Sequence, residues 1–256
     1  MLEGYSALSY LARVTSRVRL GLMVTCSSYR PPGMLVKTVT TLDILSGGRA
    51  CLGIGSGWYV REARGLGVPF PASKTERLGR LEETLRIAKH MWSGDRSPFI
   101  GRYYRLEEPI NSPQPLSKPH PPILIGGEGE RRTIRLVAEY GDACNLHLGA
   151  HPKLKGYAPW FNEYYRDRVP RLTRKLSVLR EHCRKVGRPY DEIEPTVLAP
   201  VEIAPEAMSP DDVIELCREL SDIGVRQVIF NMPNVHEIKP IEIIGEEVIP
   251  YISDMI

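Results

Sequence analysis

RACLGIGSGW (residues 49–58) closes an apolar run with glycines at alternate positions, Gly53, Gly55 and Gly57, and sets Trp58 beside them. Glycine weakens a strand interior unless a tight turn or a close approach to the backbone requires it. Both explanations fit this stretch: a crowded strand end, or a flat ligand against the main chain. The segments on either side decide the fold. Upstream, VRLGLMVT (18–25) reads as a buried strand. PPGMLVKTVTTLDILSGG (31–48) reads as a helix that opens on prolines, repeats Leu35, Val39, Leu42 and Leu45, and stops at a glycine pair. Residues 50–55 read as the next strand, and 56–72 as a long irregular segment.

The alternation continues to the end of the chain. Residues 2–15 form an amphipathic helix with Leu2, Tyr5, Leu8, Leu11 and Ala12 on one face. Ser73 and Glu76 predict a capping box that opens a helix to about Trp92, with Leu78, Leu81, Leu85, Ala88 and Trp92 facing inward. Residues 97–109 suggest a small hairpin turning at Gly101. Strands follow at 119–127, 142–148, 194–204 and 225–232. Helices are expected from Gly129 to Tyr140, over 156–186, at 209–224 behind an N-cap Ser209, and over 237–254.

Apolar strands separated by helices belong to a parallel α/β sheet. Six strands are countable where a TIM (β/α)8 barrel needs eight, so the expected architecture is such a barrel lacking its first two strands. No repeat or linker divides the chain, and residues 1–256 read as one domain.

Composition excludes several function classes. Net charge is +3 with scattered basic residues, and only four phenylalanines occur, so no nucleic-acid platform is expected. No apolar run has the length of a membrane span, and no secretory leader is apparent. The five cysteines are dispersed without a C-x-x-C pair, as expected of reduced thiols in a cytoplasmic protein. His147 and His151 are separated by Gly149, which disfavours a metal pair on one helix face, and no metal site is expected.

Two glycine-rich loops are candidate sites. GIGSGW lacks the glycine or alanine that a dinucleotide fingerprint needs at its last position, and Gly65, Gly67 and Pro69 soon interrupt any helix after it. In ILIGGEGERRT (123–133) a strand ends at Gly126 and Gly127 and a helix is expected from about Gly129. That arrangement reads either as an anion site, with Arg131 and Arg132 in the first turn, or as an ordinary βα connection.

The stretch 29–71, YRPPGMLVKTVTTLDILSGGRACLGIGSGWYVREARGLGVPFP, and the stretch 119–147, PHPPILIGGEGERRTIRLVAEYGDACNLH, resemble the luciferase-like monooxygenase superfamily, most closely its coenzyme F420-dependent oxidoreductase branch. The likeness runs from Leu2 to about Leu148. It implies a TIM barrel with a deazaflavin across its C-terminal mouth, FMN being the alternative cofactor, and hydride transfer to or from a small organic molecule. FMN-dependent monooxygenation is the alternative activity. The resemblance places the ring on Met23 and Val24, with a cis peptide between them, and beside Cys26, where a hydroxyl-bearing residue is common. Ser56, Gly57, Trp58 and Arg61, with Glu62 nearby, are implied along the ring and its side chain. Gly126, Gly127 and Glu128 are implied at its phosphate or central edge, and Asn145 at the mouth. His147 is a candidate proton donor, and the general acid is otherwise unassigned. A homodimer is the oligomeric form the likeness implies. Members of the family begin with two strands and a helix that have no counterpart here. A late reading-frame start or a fragment is therefore expected, with an inactive remnant as the alternative.

Overall fold

The computed structural model describes residues 2–253. The chain packs as two compact units, one ending at Ala143 and the other beginning at Cys144.

The first unit opens with α1 (Gly4–Val14), whose N-terminus is capped by Glu3, the carboxylate accepting from the amides of Tyr5 and Ser6. Tyr5, Leu8 and Ala12 are buried as expected, whereas Leu2 and Leu11 face outward. After β1 (Thr25–Cys26) comes α2 (Pro32–Ser46), which stops at Gly47, a residue in the left-handed region (φ 71°). Leu45 lies off the buried stripe of α2, and Val36 occupies it instead. β2 (Leu52–Gly55) precedes a short helix α3 (Val60–Gly65) inside the segment expected to be irregular. Six residues are too few to show a helical period, so the sequence did not reveal it.

α4 (Lys74–Trp92) buries every one of its five expected apolar residues. Ser73 accepts from the Glu76 amide, but the expected reciprocal box is not completed, because the Glu76 carboxylate pairs with Arg80 one turn on. The hairpin of β3 (Phe99–Ile100) and β4 (Arg105–Leu106) turns over Gly101–Tyr104. β5 (Ile123–Gly126) and α5 (Thr133–Tyr140) complete the unit. Its ladder is parallel in the order β1-β2-β5.

The strand expected at 18–25 is largely absent. Leu20 pairs with Ala50 and Thr25 with Ile54, so five steps along one chain oppose four along the other. The surplus residue is accommodated as a bulge at Leu22–Val24, which leaves only two residues of regular strand. The helix expected from Gly129 begins at Thr133. Arg131 and Arg132 therefore precede the helix rather than occupying its first turn.

The second unit contains β6 (Ala143–His147), α6 (Pro159–Arg166), α7 (Arg168–Val186), β7 (Glu194–Pro200), α8 (Pro210–Asp222) and β8 (Gln227–Asn231). β7 and β8 are parallel, with Thr196 opposite Gln227. The single helix expected over 156–186 is two helices that meet at Asp167. Pro170 has no amide to donate back to Arg166, so a continuous helix would lack that bond, whereas the first turn of a new helix tolerates proline. Ser209 and Asp212 form a complete capping box on α8. The expected closing helix is α9 (Ile238–Ile243), a π turn over Ile244–Val248 and α10 (Ile249–Ile252); its expected last residue lies outside the described residues.

Candidate cofactor site at the strand tips

The glycines of residues 49–58 lie under the bulge. A Cβ on Gly53 would sit 1.8 Å from the Leu22 carbonyl oxygen, closer than any atom can stand. The bulge then carries Val24 across the ends of two strands. Its methyls lie 3.0 Å from a Cβ position on Gly55 and 3.2 Å from one on Gly126. Gly57 has φ 76° and would meet the Cys26 sulfur at 2.3 Å and the Phe70 ring at 3.0 Å. Three glycines on one side and Gly126 on the other thus make room for Leu22, Val24 and Cys26. The tips of β2 and β5 are covered by Val24 rather than left as bare main chain.

The Met23–Val24 peptide is cis. Met23 and Val24 both keep more than a third of their surface exposed, although they sit on a buried ladder. Trp58, three residues past the end of β2, is 81% exposed, with Tyr59 against its ring (centroids 5.2 Å apart). Exposed apolar groups grouped at strand ends mark a ligand surface more often than a folding requirement. Ser56 and Gly57 are half-buried, and Arg61 is exposed.

The loop carrying Trp58 is tied back to the body of the unit. The Tyr29 hydroxyl donates to Glu62 Oε2 (2.7 Å), and burial together with that carboxylate raises the phenol well above its usual range, so Tyr29 stays protonated. Phe70 packs edge-on to Tyr29 and beneath the Arg77 guanidinium, whose Nη1 donates to the carbonyls of Pro71 and Ala72. Burial also raises the Cys26 thiol, so the group facing Gly57 is a neutral thiol and not a thiolate.

On the β5 side, Gly127 has φ 131° and Thr133 closes over it, its methyl 3.1 Å from a Cβ position. Ile134 donates to the Gly129 carbonyl, and Glu128 is half-buried in this turn. In the second unit, Asn145 is buried and donates through Nδ2 to Thr196 Oγ1 (2.8 Å). His147, the last residue of β6, is half-buried with its ring edge-on to Phe161 (5.1 Å). His151 lies edge-on to Tyr165, and its Nδ1 accepts from the Lys153 amide.

Sequence reasoning passed over the Leu22 carbonyl and the aromatic residues of α6. A one-residue register shift leaves no signature in a single sequence. The spacing of Phe161 and Tyr164 at i and i+3 was legible.

The fold is α/β, built on parallel strands with helical connections, and it matches the TIM-barrel type. A luciferase-like monooxygenase model matches residues 2–208, and the chain belongs to that family. Among curated relatives, the chain is 28% identical to an F420-dependent glucose-6-phosphate dehydrogenase of Nakamurella multipartita, over 94% of this chain and 80% of the relative. It is 37% identical to a protein of the same name from Kineococcus radiotolerans, over 86% of this chain and 66% of the relative. A shorter match, 38% identical, is to an FMNH(2)-dependent dimethylsulfone monooxygenase of Pseudomonas putida, over 38% of this chain and 26% of that protein. Among solved structures, the coenzyme F420-dependent tetrahydromethanopterin reductase of Methanopyrus kandleri superposes with a TM-score of 0.75 at 19% identity, covering 98% of this chain and 88% of that one.

Proposed function

We propose that this protein is an F420-dependent oxidoreductase that moves a hydride between the deazaflavin and a small organic substrate. The observation that carries the proposal is the Leu22–Val24 bulge, which raises Met23 and Val24 as an exposed apolar surface over the glycine tips of β2 and β5. A flat heterocycle fits such a surface: the glycines keep the strand ends low, and two apolar side chains meet one ring face without a charge. The curated relatives named as F420-dependent support the same cofactor.

When bound, the deazaflavin supplies the hydride chemistry, accepting or giving it at the ring carbon opposite its nitrogen bridge. The chain's own residues position the ring and exclude water. Met23 and Val24 keep solvent from the face they touch, and Trp58 with Tyr59 offers an aromatic border on one side. Gly126, Gly127 and Glu128 supply main chain at the other, where amides can compensate charge that develops on reduction. Cys26, held neutral, adds no competing charge beneath the ring. Ser56 and Arg61 belong to the stretch that would follow the ring's side chain, and by the family resemblance Asn145 would join the cofactor contacts and His147 is the candidate proton donor. No helix among the described residues is long and apolar enough to cross a membrane.

Titration of the purified protein with oxidised F420 and, separately, with FMN tests this reading through tryptophan fluorescence. F420 is expected to quench saturably, and Trp58→Phe to remove most of the signal while leaving the affinity within a few fold. Saturation by FMN alone favours the monooxygenase activity instead. Saturation by neither cofactor sinks the proposal.

A further inference from the structure

The segment that carries Trp58 is a closed loop whose ends meet. Gly57 opens it just past the tip of β2, Phe70 ends it, and a Cβ on Gly57 would stand 3.0 Å from the Phe70 ring. Inside the loop, Val68 donates to the Ala63 carbonyl (2.8 Å), and Ala63 is fully buried. Trp58 and Tyr59 fall between Gly57 and α3, and the Trp58 carbonyl accepts from the Val60 amide (3.1 Å). Among the described residues no side chain caps α3. A helix of six residues is not stable by itself and depends on what holds it from outside.

Tyr29 holds this loop at two points. Its hydroxyl donates to Glu62 Oε2 in the first turn of α3 (2.7 Å), and its ring meets Phe70 edge-on, centroids 6.4 Å apart. Its amide donates to the Cys26 carbonyl (3.1 Å), which fixes Tyr29 to the end of β1. The Cys26 sulfur is also the atom that a Cβ on Gly57 would strike first. One residue therefore joins the strand that bears the Val24 bulge to the helix that follows Trp58.

The two points differ in what else supports them. Phe70 also lies beneath the Arg77 guanidinium (5.1 Å), so that end keeps its place without the Tyr29 hydroxyl. The side chains of Arg61 and Arg64 on α3 are exposed and make no ion pair among the described residues, which leaves Glu62 as the side chain that ties the helix down. The Tyr29–Glu62 bond lies at the surface, where such a pair adds little to global stability. Its effect is local, on the position of α3 and of the two aromatic residues before it.

The geometry points to Tyr29 as a positioning residue of the cofactor site: through Glu62 it sets where Trp58 and Tyr59 stand, and through them how tightly the deazaflavin is held. Tyr29 need not touch the ring. The inference rests on the F420 reading of the site.

Fluorine NMR on the intact protein labelled with 5-fluorotryptophan tests it. The Trp58 resonance is identified by its absence in Trp58→Phe, and F420 affinity is measured by calorimetry on the same samples. Tyr29→Phe keeps the ring and removes only the hydroxyl. It is expected to move or broaden the Trp58 resonance, leave those of Trp92 and Trp160 in place, and weaken F420 about tenfold, with a melting temperature within about two degrees of wild type. Glu62→Leu should do the same, and combining the two should weaken binding no further. Glu62→Gln still offers the hydroxyl an acceptor and should keep most of the affinity. An unmoved Trp58 resonance in Tyr29→Phe overturns the inference. So do unchanged F420 affinity, losses that add in the double variant, or a Glu62→Gln protein as weak as Glu62→Leu. Wild-type protein that binds no F420, with its Trp58 resonance still responding to Tyr29→Phe, counts against the cofactor reading alone.

Discussion

The carbonyl oxygen of Leu22 stands where a side chain on Gly53 would begin, 1.8 Å from that Cβ position. The blocking atom is backbone, so no rotamer change relieves the clash. Gly53→Ala is expected to displace the bulge or prevent folding, with a melting temperature lowered by several degrees and saturable F420 quenching lost. Gly65→Ala is the control, because nothing lies within 4 Å of that Cβ and alanine is the better helix former at the end of α3. Thermal melts of the two variants should move in opposite directions. Equal melts for Gly53→Ala and the wild type would refute the account of the bulge.

Val24 and Gly126 form a coupled pair. A Cβ at Gly126 approaches the Val24 methyls at 3.2 and 3.3 Å, tight but movable. Gly126→Ala is expected to cost about 1 kcal/mol, less than Gly53→Ala, by pushing Val24 outward. Val24→Ala removes the obstacle, so the double variant should recover part of the loss. A double-mutant cycle on denaturant midpoints reads this coupling, and strict additivity would show that the two residues do not touch.

The Glu83 carboxylate is almost fully buried and accepts from the amides of Arg102 (2.7 Å), Tyr103 (2.9 Å) and Tyr104 (3.0 Å). It closes the β3–β4 turn, to which no sequence pattern connects it. Glu83→Gln turns one acceptor into a donor facing donors and should cost about 2–3 kcal/mol. Hydrogen exchange at residues 102–104 should quicken before exchange in α2 does. Unaltered protection at those amides would show that the turn holds without the carboxylate.

Alkali should destabilise the fold. Burial pushes the Cys217 thiol from 9.0 to about 11, and the Tyr5 and Tyr165 phenols from 10.0 to about 12. In the unfolded chain these groups ionise first, so between about pH 9 and 12 the native state binds more protons and stability falls as pH rises. Urea midpoints measured from pH 8 to 11 should decline, and Cys217→Ala should flatten the portion between pH 9 and 11. A flat wild-type profile over that range would contradict the burial of these groups.

The amino-acid sequence by itself determined the alternation of strands and helices, the parallel α/β class, the β3–β4 hairpin, and helix ends written in local chemistry. The Ser209–Asp212 box and the Gly47 stop are examples, because caps and turns are satisfied within a few residues. It also marked residues 49–58 and 123–128 as exceptional. What it could not convey was why. The glycines read equally as room for a turn or for a ligand, and only the tertiary structure showed that they yield first to the neighbouring strand, with Leu22 and Val24 occupying the space a Cβ would take. The same holds for the Glu83 brace and the division of 156–186 at Asp167. Each depends on atoms that come together only after the chain has folded. Periodicity records which face of an element is buried, but a one-residue difference in register between two strands is a relation between segments, and neither segment carries it alone.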